Sequence, residues 1–450
     1  MRRYLHITVF ALLGLMVSAA CSREQVPGQP EQVNGGHVQV SLTMALHGFG
    51  DDVVVTKADF ADVEQALQYG HEKSIKDYGI FVFDATGAFA VNGVTGLYEF
   101  NPSATRQIYA GKADILHVEN LGGGLSRCEF KLDDTYKSVA VLVMANFGDA
   151  AYSAAGVPGK GKSMQDVLDF FSADAHALAY NTTQSDYVKS GVPKHGWKVF
   201  GSWEGLSSTA SDAAKAACEL KYYRGMSTPL TTVGFKNAAE LANYAGTTGA
   251  VRAKDRLTLR NAMVRLHLRY EPEAGQPAAT PATGVASLEI TGVKLHNYRK
   301  KLRALPATFF SSSEYSPYDA VTSVGALQGA GDSDVVFVHP ASGDKSWVAY
   351  VPEMAVSGSD DDPYLIVEVQ VTDEDGKVVE FVFERDKVVR KEGTNTATYE
   401  KSPWTEWLQM KTYYSRKKPD GTDVTIGSTF NLIRNYAYEW IAEGVEGMEL

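Results

Sequence analysis

Two positions near the start of the chain carry the residue types that processing chemistry needs. Cys21 stands directly behind the small residues Ser18, Ala19 and Ala20, which follow an apolar run from Ile7 to Val17, with Arg2 and Arg3 ahead of it. A basic start, a short apolar run and small residues make a secretory signal, too short to remain in a bilayer as a spanning helix. A thiol placed straight after such a run is arranged as in a lipobox, where lipid is attached and the cysteine becomes the mature N-terminus. Ser18 stands where leucine is usual, so ordinary cleavage after Ala20, with Cys21 unmodified, stays open. Both routes export the protein. The second position is Lys57-Ala58, a basic residue before a small one in a loop-like context.

Other chemistry-bearing spacings read as structural. Gly156-Val157-Pro158-Gly159-Lys160-Gly161-Lys162-Ser163 fits the phosphate-binding loop pattern letter for letter. In such a loop, backbone N–H groups and the lysine cradle phosphates at a helix N-terminus. Here the preceding apolar strand ends well before Gly156, no run of alternating βα units surrounds it, and the compartment lacks ATP. A Gly/Lys loop leading into a capped helix fits better. The 10 histidines show no HxH, HExxH or paired zinc spacing. Asp360-Asp361-Asp362 lacks the spaced oxygens of a calcium loop and reads as a polar turn before Pro363. No G-x-S-x-G elbow occurs, so no enzyme and no cofactor is expected.

The elements around these positions are strands. Val38, Val40, Leu42, Met44 and Leu46 alternate with polar or small residues, giving one apolar face at period 2. A Gln/Pro/Gly-rich tether precedes this strand, and Gly48, Gly50, Asp51 and Asp52 end it. Tyr78 to Asp84 is a strand closed by a turn, and Ser138 to Asn146 is apolar throughout, as a strand covered on both faces would be. Ser163 to Phe171 is a short capped helix, and Asn237 to Tyr244 a helical turn or two. Leu257 to Tyr270 alternates cleanly from Met263 onward. Further strands are expected at Ser287–Leu295, Val335–Val338, Trp347–Val351, Tyr364–Thr372, Lys377–Glu384, Phe430–Arg434 and Tyr436–Ile441. Many short strands spaced by turns, with few helices, predict an all-β chain of tandem β-sandwiches.

Composition agrees. A length of 450 residues exceeds a single core and suggests two domains of about 200 residues each. Hydrophobic content of 44% is ordinary, and 23 tyrosines favour strands. The net charge of −11 argues against a nucleic-acid partner. Besides Cys21 there are Cys128 and Cys218; an oxidising compartment permits their pairing, and two buried thiols are the alternative.

Several segments, in order, resemble the type V pilins, the fimbrial subunit family of Bacteroidales. They are the leader with Thr56-Lys57-Ala58, Tyr78 to Gly87, Val141 to Asn146, Leu259 to Arg265, Leu295-His296-Asn297, Tyr350-Val351-Pro352-Glu353 and Ile433-Arg434-Asn435-Tyr436. The resemblance implies two sandwiches of transthyretin-like or Ig-like type, spanning 58–254 and 255–450 behind a signal at 1–20 and a leader at 21–57. It implies a precursor lipidated at Cys21 and carried to the outer membrane. A trypsin-like protease would then cut between Lys57 and Ala58, with lysine where the family's protease takes arginine. The cut would free Val38–Leu46 and leave a groove in the first sandwich. A stalk pilin would fill that groove with a strand from its own C-terminal extension. Burying five such side chains contributes about 1.5–3 kcal/mol each, so strand loss must be coupled to strand gain.

Stalk members of the family continue past the Arg-Asn landmark with donor strands. Here Tyr436 to Ile441 reads as the last sandwich strand and Gly444 to Leu450 as no donor, which implies a tip subunit with a host or bacterial surface ligand. Asn181–Gly196 and Glu314–Asp332 are the candidate ligand loops by length. The alternatives are an anchor subunit that keeps its lipid, and a surface glycan-binding lipoprotein using Trp404 and Trp407.

Overall fold

The computed structural model describes residues 37–46, 69–91, 98–109, 115–122, 125–133, 136, 139–200, 257–270, 285–307, 321–357, 359–385, 387–400, 408–414 and 431–445, position 322 excepted. They form an all-β molecule of two sandwiches with a few short helices.

The first half contains β1 (His37–Leu46), β2 (Tyr78–Asp84), β3 (Phe89–Val91), β4 (Tyr98–Phe100), β5 (Arg106–Tyr109), β6 (Ile115–Gly122), β7 (Leu125–Asp133) and β8 (Val139–Ala145). Helices α1 (Asp149–Tyr152) and α2 (Met164–Ser172) follow, then β9 (Leu178–Ala179), α3 (Gln184–Ser190), β10 (Lys194–Phe200) and β11 (Leu257–Asn261). Eight of these strands share one sheet in the order β5-β2-β8-β10-β11-β1-β7-β6.

Strand β8 shows why this half has three layers. Ala140, Leu142 and Met144 pack with Phe81, Phe83, Trp197 and the apolar face of α2, whose Met164, Val167, Leu168 and Phe171 are all buried. Val139, Val141, Val143 and Ala145 point the other way, onto Ile80, Val82, Met44, Cys128, Leu257 and Leu259. Alternation at period 2 on a continuous apolar run covers both faces.

The second half holds β12 (Val264–Tyr270), β13 (Val285–His296), β14 (Lys301–Leu302), β15 (Val335–Val336), β16 (Trp347–Val351), β17 (Tyr364–Asp373), β18 (Val378–Glu384), β19 (Lys387–Glu392), β20 (Asn395–Glu400), β21 (Leu408–Tyr414) and β22 (Ala437–Val445). A sheet in the order β16-β12-β22-β21 faces one in the order β15-β13-β17-β18-β19-β20. Leu266, Leu268, Val293, Val367, Val369, Phe381 and Phe383 are among the residues that fill the space between them.

Two readings are corrected by the pairing. Leu257–Tyr270, whose clean alternation begins only at Met263, is two strands rather than one. β11 pairs with β10 and β1 in the first sheet, whereas β12 pairs with β16 and β22 in the second. The chain therefore passes from the first sheet to the second at Ala262 and Met263. No glycine or proline marks the crossing, because both residues are simply buried where the sheets meet. Asn181–Gly196 is not a loop. It contains α3 and the start of β10, with Gln184, Tyr187 and Val192 buried, so it is packed rather than offered to a ligand.

Candidate functional site

Strand β1 lies inside the first sheet. Antiparallel to β7, it runs in unbroken register from His37 opposite Asp133 to Ala45 opposite Leu125. On its other side it is parallel to β11, with Met44, Ala45 and Leu46 opposite Leu257, Thr258 and Leu259. Met44 is fully buried among Ile80, Val82, Val141 and Cys128. For Val38, Val40, Leu42 and Leu46 the backbone is described and the side chains lie outside the described residues, as do Cys21, Lys57 and Ala58 entirely. The partner strand β7 escaped the sequence reading. Ser126, Cys128, Phe130 and Leu132 alternate there with Arg127, Glu129, Lys131 and Asp133, which is the period-2 pattern that could have revealed it.

The segment that resumes after β1 is anchored in a polar seam between the sandwiches. Residues Gly70–Lys73 form a 3₁₀ turn, and the backbone N–H of Tyr69 donates to the Glu72 carboxylate at 3.0 Å. That carboxylate, buried, receives Arg265 Nη1 from β12 at 3.0 and 3.1 Å on its two oxygens. Tyr350 on β16 donates its hydroxyl to Glu72 Oε1 at 2.6 Å. His71 Nε2 lies 2.6 Å from the same hydroxyl oxygen and must be its donor, because the Tyr350 proton is already directed at Glu72. Burial holds the His71 imidazole below its ordinary value, despite the opposing charge of Glu72, and keeps the Tyr350 phenol well above its own. Lys194 at the start of β10 is completely buried and donates to the Glu72 carbonyl at 2.6 Å and to Asn261 Oδ1 at 3.2 Å. Burial pushes its amine down to about 8, against the pull of Glu72.

A second ion pair closes the seam at the far end. Arg434 grips Glu353 in a fork, Nε to Oε2 at 3.0 Å and Nη2 to Oε1 at 2.8 Å, and also donates to the carbonyls of Arg303 and Ala304. Both partners are buried, which makes such a bidentate pair costly to break. Farther along β12, His267 and Arg269 both donate to Glu439. Burial alone would raise that carboxyl, but these two partners hold it below the usual carboxylate range.

Three asparagines, two just after strands and one in the turn before β22, share one device. Asn146, Asn297 and Asn435 are the non-glycine residues with positive φ among the described residues, at 61°, 61° and 65°. Asparagine tolerates this left-handed conformation better than other residues with a side chain, and its amide can bond nearby backbone. Asn146 accepts from Lys76 N and donates to the carbonyls of Ser74 and Val192. Asn297 donates to the carbonyls of Asp360 and Asp362. Asn435 accepts the Asn261 backbone N–H at 2.9 Å, while its own N–H donates to Met263 O. The landmarks seen in the sequence at Val141–Asn146, Leu259–Arg265, Leu295–Asn297, Tyr350–Glu353 and Ile433–Tyr436 are thus strand ends and seam residues, placed for architecture.

In the Gly156–Ser163 loop and at the start of α2, backbone N–H groups are already engaged. Met164 N donates to Thr105 Oγ1 at 2.7 Å, and Asp166 N to Ser163 Oγ at 3.1 Å. Gly161 N donates to Gln107 O, and Gln107 N returns the bond to Lys162 O. The N–H groups a nucleotide would need are largely taken. Among the described residues no three metal-ligating side chains cluster, and no helix is long and apolar enough to cross a membrane. Cys128 is buried in the core, whereas Cys218, Trp404, Trp407 and Asn237–Tyr244 lie outside the described residues.

No protein-family model matches the chain, and no curated protein does. Among solved structures, it is similar to a C-terminally truncated form of the tip fimbrial protein Mfa3 from Porphyromonas gingivalis, at 12% identity and a TM-score of 0.33, over 91% of this chain and 96% of that one. It is also similar to a fimbrial assembly protein from Parabacteroides distasonis, at 14% identity and a TM-score of 0.30, over 81% of this chain and 99% of that one.

Proposed function

We propose that the chain is an exported subunit of a surface fimbrium whose first strand is removed by proteolysis and replaced by a strand from another subunit. The observation that carries this reading is the position of β1. It sits between β7 and β11 within a sheet, and in sequence the basic site Lys57-Ala58 separates it from the anchored turn at Gly70–Lys73. A cut at Lys57 would leave β1 held only by pairing and burial, with no covalent link to the body. Its loss would expose the edges of two strands, and such edges recruit another strand. In this scheme Cys21 carries the lipid of the precursor and anchors it at the outer membrane until the cut.

The tip position is the finer part of the proposal. Strand β22 is paired on both sides within its own domain, parallel to β12 and antiparallel to β21, so it is occupied at home rather than poised to leave. A subunit that accepts a strand and donates none ends a polymer, where it would meet a host or bacterial surface.

The test is to cut the purified chain after Lys57 with a lysine-specific protease and add a peptide matching a stalk subunit's C-terminal strand. The expected outcome is release of the fragment containing β1 and a stoichiometric complex of the body with the peptide. Self-polymerisation of the cut chain without peptide would overturn the tip assignment. Retention of the β1 fragment under every peptide excess would overturn strand exchange itself.

A further inference from the structure

Lys194 and Asn261 stand directly opposite each other on the antiparallel pair β10 and β11. Both are completely buried, and the amine lies 3.2 Å from the carboxamide oxygen. We propose that these two side chains condense into a covalent cross-strand amide, an intrachain staple between β10 and β11. This modification goes beyond the fimbrial reading and does not depend on it.

The chemistry balances without a co-reactant. Lys194 Nζ attacks Asn261 Cγ, the Nζ–Cγ bond forms, the Cγ–Nδ2 bond breaks, and the former carboxamide nitrogen leaves as ammonia. The proton that Nζ sheds is the one Nδ2 needs in order to leave. Asn261 is held for the reaction by its neighbours, since its backbone N–H and its Nδ2 both donate to Asn435 Oδ1, at 2.9 and 3.3 Å. Two groups fixed near contact distance in a rigid sheet react as one molecule, which removes the entropic part of the barrier.

The surroundings favour the product. The Glu72 carboxylate acts on this amine through its charge, and Arg265 already engages both of its oxygens. An ammonium at Lys194 is therefore poorly compensated in a site that excludes water, and a neutral amide relieves that cost. A desolvated lysine is also an activated nucleophile, and the amine's depressed value of about 8 leaves a reactive neutral fraction near physiological pH.

Intact mass spectrometry and peptide mapping of the full chain test the proposal. The expected result is a species lighter by one ammonia, and a branched tryptic peptide joining the Lys194 and Asn261 segments with no cleavage after Lys194. Lys194→Arg should restore the full mass. Full mass in the wild-type chain after prolonged incubation at mildly alkaline pH would overturn the proposal. An ammonia loss that persists in Lys194→Arg would also overturn it, because it would report ring closure at Asn261-Ala262 instead. The branched peptide is read on the wild-type chain, so the test stands even if the variant does not fold.

Discussion

The slot occupied by β1 and the seam between the sandwiches are both buried, yet they are held together by different physics. β1 is fixed by backbone pairing along β7 and β11 and by an apolar face represented by Met44. Any strand of suitable length and alternation can supply those interactions. The seam is fixed by individual side chains: Glu72 with Arg265, His71 and Tyr350, and Arg434 with Glu353. No other segment could reproduce that arrangement. If β1 is exchanged as proposed, generic interactions are what would let another strand take its place, whereas specific ones would keep the seam intact. The boundary between them falls in the stretch that includes Lys57.

The largest effect is expected in the seam. Arg265→Met leaves the Glu72 carboxylate buried without its cation and should destabilise the protein by about 3–5 kcal/mol in urea unfolding. Arg265→Lys, which lacks the planar guanidinium, should recover little of the loss. A lysine variant as stable as the wild type would erase the difference between the two regions.

Met44→Ala comes next, with a cavity cost of about 2–4 kcal/mol. In the slot this should appear chiefly as faster displacement of the β1 fragment from chain cut after Lys57, followed by native mass spectrometry. Asn435→Ala combines a strained backbone with lost hydrogen bonds to Asn261 and should cost about 1–3 kcal/mol. Asn435→Gly relieves the strain but not the lost bonds, and its thermal midpoint should fall between the two.

Stability should also decline in acid. Burial keeps His71 below its ordinary 6.5, and burial together with the charges of Arg434 and Arg260 keeps His195, the second residue of β10, well below it. Above the ordinary value neither state binds the proton. As pH falls below it the unfolded chain takes up protons that the folded chain refuses, until the folded values are reached. Each histidine contributes a loss of up to about 1.4 kcal/mol per pH unit in that window. Urea midpoints measured between neutral pH and the onset of carboxylate titration should therefore slope downward, and His71→Gln should flatten part of the slope.

Met44→Leu should have the smallest effect, about 1 kcal/mol or less, because volume and apolarity are kept. Equal sensitivity of Met44→Leu and Arg265→Lys would show that the slot is as particular about its occupant as the seam.

Local pattern and tertiary pairing divide what could be read beforehand. β2 runs from Tyr78 to Asp84, as its apolar run and closing turn indicate, and α2 begins behind Ser163 through its capping box with Asp166. These features are encoded within a few residues. Glu72, Lys194 and Arg265 belong to distant parts of the chain and carry no shared spacing, so the seam became visible only when the sheets were assembled. The division of Leu257–Tyr270 into β11 and β12 does leave a local mark. The apolar phase slips by one residue between Asn261 and Val264, from Leu257 and Leu259 to Val264, Leu266 and Leu268, and with it the neighbouring strands change.

That crossing also defines a load path. A strand seated beside β11 is tied by hydrogen bonds to a chain segment that continues through Ala262 and Met263 into β12, and β12 lies parallel to β22 in the second sandwich. Tension applied at the slot would pass along this covalent line from one sandwich to the other and load the pairings in shear, many bonds at once.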